Sequence, residues 1–66
     1  MIDIGDKIKR TRLKLGLTQE ELAARTELSK GFISQLERNL TSPSIATLID
    51  ILEALGTDIA DFFTTG

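Results

Sequence analysis

Apolar side chains recur at intervals of three and four residues along most of this chain, which is the spacing of one helix face. The first such stripe consists of Ile4, Ile8, Thr11 and Leu15. Gly16 follows it, and glycine suits the left-handed residue that ends a helix. Sustained alternation of apolar and polar residues is lacking, and no Asn-Gly or Asp-Gly turn joins two apolar runs. The pattern predicts an all-α chain whose first helix covers about residues 4–15.

The second helix is predicted from the signals at its start. Thr18 and Glu21 have the spacing of a capping box, and Leu17 and Leu22 have that of a hydrophobic staple. These signals place a helix over about residues 19–26.

A third helix is indicated after a turn of three residues. Ser29 is the next strong N-cap, and the apolar face behind it consists of Phe32, Ile33 and Leu36. Asn39 can take the left-handed conformation that ends a helix. The third helix is therefore expected over about residues 30–38, which makes a helix-turn-helix unit of about residues 19–38.

The fourth helix follows a Thr-Ser-Pro-Ser stretch at residues 41–44. Its N-cap is Ser44, or Ser42 with Pro43 in the first turn. Its expected core positions are Ile45, Leu48, Ile49, Leu52 and Leu55. This helix is predicted over about residues 45–55, with Gly56 as its stop.

A short last helix is predicted over about residues 59–63. Asp58 and Asp61 can cap it, and it carries Phe62 and Phe63. The whole chain, residues 1–66, is thus expected to form one domain, a compact five-helix bundle.

One charged residue falls on a face that should be buried. Arg12 lies four residues after Ile8, near the middle of the apolar stripe of the first helix. A buried guanidinium needs a carboxylate, and Glu37 at the inner edge of the third helix is the candidate partner. The alternative is that Arg12 lays its stem over the edge of the core and keeps its charge in water.

The composition excludes several classes of function. The 66 residues include no Cys and no His, so a disulfide framework, a thiolate metal site and a histidine base are excluded. Ser29 and Lys30 are adjacent and do not face each other, so no catalytic pair is indicated. No enzyme activity, metal or cofactor is expected. No apolar run approaches the roughly 18 residues of a membrane span, and a signal peptide is not indicated, which favours a cytoplasmic protein with no membrane partner.

The net charge of −2 hides a strong asymmetry. Residues 7–38 hold all eight basic residues and four acidic ones, for a net charge of +4, whereas residues 39–66 hold four acidic residues and no basic one. Such a division is a hint of a face for nucleic acid or another acidic partner, and the alternative is a solvated helix surface.

Three segments at the centre of the chain carry a family resemblance. Residues 17–26 (LTQEELAART), 28–39 (LSKGFISQLERN) and 42–48 (SPSIATL) are similar to the Cro/C1-type (XRE-like) helix-turn-helix regulators of bacteria and phages. The resemblance implies a lambda-repressor-like bundle of five helices. It also implies a sequence-specific transcriptional regulator, a repressor, that binds a palindromic operator in double-stranded DNA as a homodimer and inserts its third helix into the major groove.

The resemblance also assigns roles to individual residues. The family's backbone-contacting Gln falls on Gln19, next to the cap residue Thr18, and its phosphate contacts after the third helix fall on Arg38 and Asn39. Its base-reading positions fall on Ser29, Lys30, Gly31, Ser34 and Gln35. Its buried Arg-Glu pair falls on Arg12 and Glu37, in agreement with the stripe of the first helix.

The chemistry of the third helix fits such a role. Lys can donate to guanine O6 and N7, Gln can bond adenine in bidentate fashion, and Ser can serve either base. Phe32 is either a third core side chain or an aromatic that touches a thymine methyl group at the DNA edge. A stripe of basic residues on the first helix, Lys7, Arg10 and Lys14, could attract phosphates or simply be solvated.

Some features remain outside the family pattern. Many relatives have Gly where this chain has Glu27, and a left-handed non-glycine residue is strained. Leu13 lies opposite the buried stripe of the first helix, and Ile51 lies at the edge of the stripe of the fourth. Either could serve a subunit or domain contact, although isolated exposed apolar residues are common.

The rival function is a protein-interaction module of the same fold, antitoxin-like or coactivator-like, that uses helices 4 and 5 on a partner. The ending of the chain is also similar to regulators with a C-terminal cupin-like sensor, so an excised domain and a small stand-alone regulator both remain open.

Overall fold

The computed structural model describes residues 3–64, and in this part of the chain it contains five α-helices and no strand. The helices are α1 (Ile4–Lys14), α2 (Gln19–Thr26), α3 (Lys30–Glu37), α4 (Ile45–Ala54) and α5 (Ile59–Thr64). The five predicted helices are thus confirmed. Helices α1, α3 and α4 end one residue earlier than predicted, and α5 ends one residue later.

Side chains cap the N-termini of four helices, α2 to α5; at α5 the predicted cap is Asp58, whose Oδ1 accepts from the Ala60 N–H at 3.1 Å. The Thr18 hydroxyl accepts from the Glu21 backbone N–H at 3.0 Å, and the Glu21 carboxylate accepts from the Thr18 backbone N–H at 2.8 Å, which completes the capping box. Ser29 caps α3. Ser44 rather than Ser42 caps α4, with its hydroxyl 3.1 Å from the Thr47 nitrogen. Each cap satisfies a backbone donor that the helix itself leaves without a partner.

The core lies where α2 packs on α3 and α4, with α1 closing it from the side of α3. Its largest fully buried side chains are Ile8, Leu22, Ile33, Leu36, Ile51 and Leu52. Leu17 and Leu22, the two staple residues, are both buried. None of the helices within residues 3–64 is long and apolar enough to cross a bilayer.

Four of the expected positions on α1 and α4 are wrong. Leu15 is 52% exposed, because it is the C-cap of α1 and the chain turns at Gly16, so that Leu17 enters the core in its place. On α4, Ile45 and Ile49 face outward, whereas Ile51, expected at the edge, is fully buried. The core-facing stripe of α4 is Leu48, Ile51, Leu52 and Leu55, which has the same helical spacing as the stripe that was expected.

Helix α1 approaches the end of α3 closely at Gly5. A Cβ at Gly5 would lie 2.2 Å from the Leu36 carbonyl oxygen, so no other residue fits without a shift of the backbone. The Gly5 N–H donates to Asn39 Oδ1 at 3.2 Å. This hydrogen bond joins the first turn of α1 to the residue that ends α3.

The predicted ion pair between α1 and α3 is present. Arg12 Nε lies 2.6 Å from Glu37 Oε2 and Arg12 Nη2 lies 2.9 Å from Oε1, so the contact is bidentate. Both residues are buried, which excludes the alternative in which Arg12 extends to solvent. The hydrogen bond and the charge of Glu37 raise the pKa of Arg12 above its ordinary value despite burial. Arg12 Nη1 also donates to the Leu17 carbonyl at 2.7 Å, which ties the turn before α2 to the pair.

The last helix is fastened to the first by Lys7. The Lys7 ammonium donates to the Phe62 carbonyl oxygen and lies 5.2 Å from the centre of the Phe62 ring. Phe62 is buried, and Phe63 meets it edge to face at a centroid distance of 5.2 Å. A cation near the C-terminal end of a helix satisfies a carbonyl there and complements the helix dipole.

Glu27, which ends α2, has φ 58° and lies in the left-handed region. We predict that Glu27→Gly stabilises the domain by about 1 kcal/mol, because glycine carries no Cβ penalty in this conformation. For a domain of this size the melting temperature, followed by circular dichroism, should rise by roughly 4–8 °C.

Asn39, with φ 60°, provides the matched control. Asn39→Gly relieves less strain, because asparagine tolerates the left-handed conformation, and it also removes the acceptor for the Gly5 N–H, so it should gain less than Glu27→Gly or lose stability. An unchanged or lower melting temperature for Glu27→Gly would show that Glu27 is not strained.

Candidate nucleic-acid interface

Helix α3 presents one polar face to solvent and buries the other. Ile33, Leu36 and Glu37 point into the domain. The predicted DNA contacts on and beside α3 that are exposed are Ser29, Lys30, Gly31, Gln35, Arg38 and Asn39, while Ser34 and Phe32 are half-buried. The structure therefore brings the predicted residues of this helix to one accessible surface, which we call the α3 face.

The cations of the α3 face are available to a ligand. Lys30 and Arg38 are exposed and form no ion pair within residues 3–64. On α1, by contrast, Lys7 is committed to Phe62, so Arg10 and Lys14 are the exposed members of the predicted basic stripe.

Two hydroxyl groups at this surface already serve as caps. Ser29 Oγ accepts from the Phe32 N–H at 3.0 Å, and Thr18 Oγ1 accepts from the Glu21 N–H. A hydroxyl that accepts through its oxygen still has its own hydrogen to donate. The Ser29 side chain can therefore cap α3 and donate to an anion at the same time, whereas the Thr18 hydroxyl also bonds the Glu21 carboxylate.

Gly31 leaves open space at the start of α3. A Cβ built there meets nothing nearer than Ser29 Oγ at 4.0 Å, so packing does not require glycine at this position. Glycine inside a helix costs about 0.5–1 kcal/mol relative to alanine. The fold therefore gains nothing from glycine at position 31.

Phe32 packs against the core from the edge and is half-buried. Of the two roles considered for it, the core role is thus present in the structure.

Gln19 and Asn39 have contacts that the local sequence pattern did not predict. Gln19, half-buried at the start of α2, donates from Nε2 to Glu37 Oε1 at 3.1 Å, and Asn39 accepts from Gly5. Each partner lies far away in sequence, so helix periodicity carries no signal for either. In residues 3–64 no group of three or more acidic, His or Cys side chains could hold a metal ion.

The fold and the α3 face define a domain of the helix-turn-helix class. The family profile described as helix-turn-helix matches residues 8–62, and the chain belongs to this family, in its Cro/C1-type (XRE-like) form.

Two relatives and one solved structure illustrate the similarity. The uncharacterized HTH-type transcriptional regulator y4dJ of Sinorhizobium fredii is 38% identical over 61 residues, which cover 92% of this chain and 79% of that protein. The immunity repressor protein of Bacillus phage phi105 is 35% identical over 57 residues, or 86% of this chain and 40% of that protein. The restriction-modification controller protein C.Esp1396I, as a tetramer in complex with its natural 35-base-pair operator, superposes with a TM-score of 0.86 at 36% identity, covering 92% of this chain and 80% of that one.

These comparisons confirm the lambda-repressor-like five-helix fold and the family assignment that the sequence motifs indicated.

The capping box at the start of α2 gives a prediction for the effect of pH. Hydrogen bonds from Thr18, first from its backbone N–H and then from its side chain, lower the pKa of Glu21 below its ordinary value. The ionised carboxylate therefore stabilises the fold above the ordinary pKa of Glu, and this contribution is lost as the pH falls through the lowered value. We expect the free energy of unfolding of Glu21→Gln, from urea titrations between about pH 6 and pH 3, to fall less steeply than that of the wild type.

Glu20→Gln is the matched control, since it removes a carboxylate from the same exposed turn without breaking the capping box. It should change the fall of the free energy of unfolding at acid pH less than Glu21→Gln does. If the free energy of unfolding depends on pH in the same way for the wild type and for Glu21→Gln, the ionised Glu21 carboxylate does not stabilise the fold.

Proposed function

We propose that this protein is a sequence-specific transcriptional regulator, a repressor, that inserts α3 into the major groove of double-stranded DNA. The observation that carries the proposal is the α3 face, an accessible polar surface with cations that have no ion-pair partner in the described chain. Membership of the helix-turn-helix family supports it. The operator complex of C.Esp1396I and the repressor of phage phi105 add support from relatives.

Base readout falls to the exposed side chains of α3. Lys30 donates to guanine O6 and N7, and Gln35 bonds adenine N6 and N7 in bidentate fashion. Ser34 lies one turn after Lys30 and can serve either base. A good bidentate contact discriminates between bases by about 1–3 kcal/mol.

Contacts to the phosphate backbone fix the register of α3 in the groove. Thr18 and Gln19 stand at the start of α2, where free backbone N–H groups attract anions, and Arg38 and Asn39 stand at the end of α3. The net charge of +4 over residues 7–38 adds a modest attraction for any DNA, which weakens as salt rises.

The protein acts as a homodimer on a palindromic operator, and an apolar surface on α4 and α5 provides the contact. Four exposed residues form this α4–α5 apolar face: Ile45, Ile49, Ile59 and Phe63. Ile49 and Ile59 line one groove of about 270 Å³ between the two helices, and Ile45 and Phe63 lie one helical turn beyond them. Exposed apolar surface of this kind marks interaction sites.

Selection of bound sequences from a random duplex pool tests the function directly. We predict that the wild type enriches a palindrome with two half-sites, while Lys30→Ala/Gln35→Ala enriches none because base readout is lost. Lys9→Ala, which removes an exposed lysine from α1, is the control and should enrich the same palindrome. If the double variant selects the wild-type sequence, α3 does not read bases. If the wild type enriches nothing, the domain is better explained as a protein-interaction module.

Gly31 gives a second test, in which stability and binding change in opposite directions. Gly31→Ala should stabilise the domain by at most about 0.5–1 kcal/mol, the value for a helix interior, because alanine favours the helix and the space for its methyl group is open. The same methyl group should obstruct the approach of α3 to the major groove. Binding to the selected operator, measured by fluorescence anisotropy, should therefore be weaker. A more stable variant that binds with unchanged affinity would show that α3 does not approach DNA at Gly31.

A further inference from the structure

Gln19 is held by a buried carboxylate. Its Nε2 donates to Glu37 Oε1 at 3.1 Å, and the same oxygen accepts from Arg12 Nη2 at 2.9 Å. We propose that Glu37 is a positioning residue for DNA binding, which fixes the Gln19 amide so that the second Nε2 hydrogen is left for a phosphate oxygen. This inference rests on the proposed function, since it assigns a role within the same DNA-binding surface.

A carboxylate is suited to this task because it can only accept hydrogen bonds when ionised. The amide of a glutamine has a donor end and an acceptor end of nearly equal size. Against Glu37 the donor end is favoured and the oxygen end is repelled, so one of the two amide orientations is selected. A neutral glutamine at position 37 would accept either orientation, since its own amide can turn.

The pairing with Arg12 makes a carboxylate tolerable at an anion-binding surface. Glu37 alone would repel a phosphate group, but the bidentate contact with Arg12 makes the pair neutral overall. Both members of the pair are buried, whereas Gln19 is half-buried and reaches the surface. The charge that orients Gln19 is thus kept away from solvent and compensated.

The network also fixes the backbone that carries Gln19. Arg12 Nη1 donates to the Leu17 carbonyl at 2.7 Å, two residues before Gln19. The start of α2 is therefore held at Leu17 and at Gln19 by the same ion pair, and the ion pair is anchored on α3 by Glu37. The position of the expected phosphate contact relative to the base-reading helix follows from this arrangement.

A double-mutant cycle on DNA affinity tests the proposal. The variants are Gln19→Met, which keeps length but removes the donor, Glu37→Gln, and the two combined. Dissociation constants are measured by fluorescence anisotropy with the operator duplex, at a temperature where circular dichroism shows each variant folded. Asp50→Asn, the same charge change at an exposed position of α4, is the control and should bind as the wild type does.

We expect Gln19→Met to weaken binding roughly tenfold, as the loss of one hydrogen bond to a charged group does. Glu37→Gln should weaken binding several-fold in the wild-type background and by a clearly smaller factor in the Gln19→Met background, because there is no amide left to orient and only the support of the backbone at Leu17 is still lost. Both effects should be equal on a random-sequence duplex, since a phosphate contact is independent of sequence.

The proposal is overturned if Glu37→Gln weakens binding by the same factor in both backgrounds, which is the behaviour of a residue that only supports the fold. This result is distinct from failure of the proposed function. If the proposed function fails, the wild type itself does not prefer the operator over a random duplex, whatever the outcome of the cycle.

Discussion

The buried ion pair between Arg12 and Glu37 is the constraint on which the arrangement of the helices depends. Two charges removed from water are tolerated only when their hydrogen-bonding groups are satisfied, so the geometry around them has little freedom. Here the pair joins α1 to α3 and, through Leu17, to the turn that leads into α2. Every buried side-chain nitrogen and oxygen in the described chain has a partner. The pair therefore fixes α1, α3 and the turn before α2 relative to one another, and α2 and α3 are the two helices expected to contact DNA.

Local signals were sufficient to predict the helices and their caps. The capping box of Thr18 depends on residues three apart, and the stops at Gly16 and Gly56 depend on single residues, so both kinds of signal are visible in a short window of sequence. Periodicity was not sufficient on α4. Apolar residues there form two overlapping stripes with the same helical spacing, and only packing against α2 decides that Ile51 is buried and Ile49 is exposed. The excess apolar residues are the ones that we assign to a partner.

Contacts between distant segments were beyond prediction unless a residue broke the local pattern. Arg12 did so, because a charge on an apolar stripe requires a partner, and its partner could be inferred. Gly5 gave no such signal, since nothing near it in sequence shows that a carbonyl of α3 will lie 2.2 Å from its absent Cβ. The candidate DNA-binding surface was predicted only in part. Its residues could be placed from the helix pattern and the family resemblance, but the hydrogen bond between Gln19 and Glu37 depends on how the helices pack and could not be predicted.

The attachment of α5 has a dynamic consequence. This helix has six residues and one buried side chain, Phe62. The Lys7 ammonium donates to the Phe62 carbonyl oxygen and lies over the Phe62 ring. A short helix with little buried apolar surface opens locally at a lower free energy than the core does. Helix α5 carries Ile59 and Phe63 of the α4–α5 apolar face. In the proposed homodimer, the second copy that covers this face binds only the form in which α5 is docked, so it suppresses the local opening of α5 by mass action. Amide hydrogens of α5 should then exchange with solvent at a rate that depends on protein concentration, whereas those of α2 and α3 report the unfolding of the whole domain.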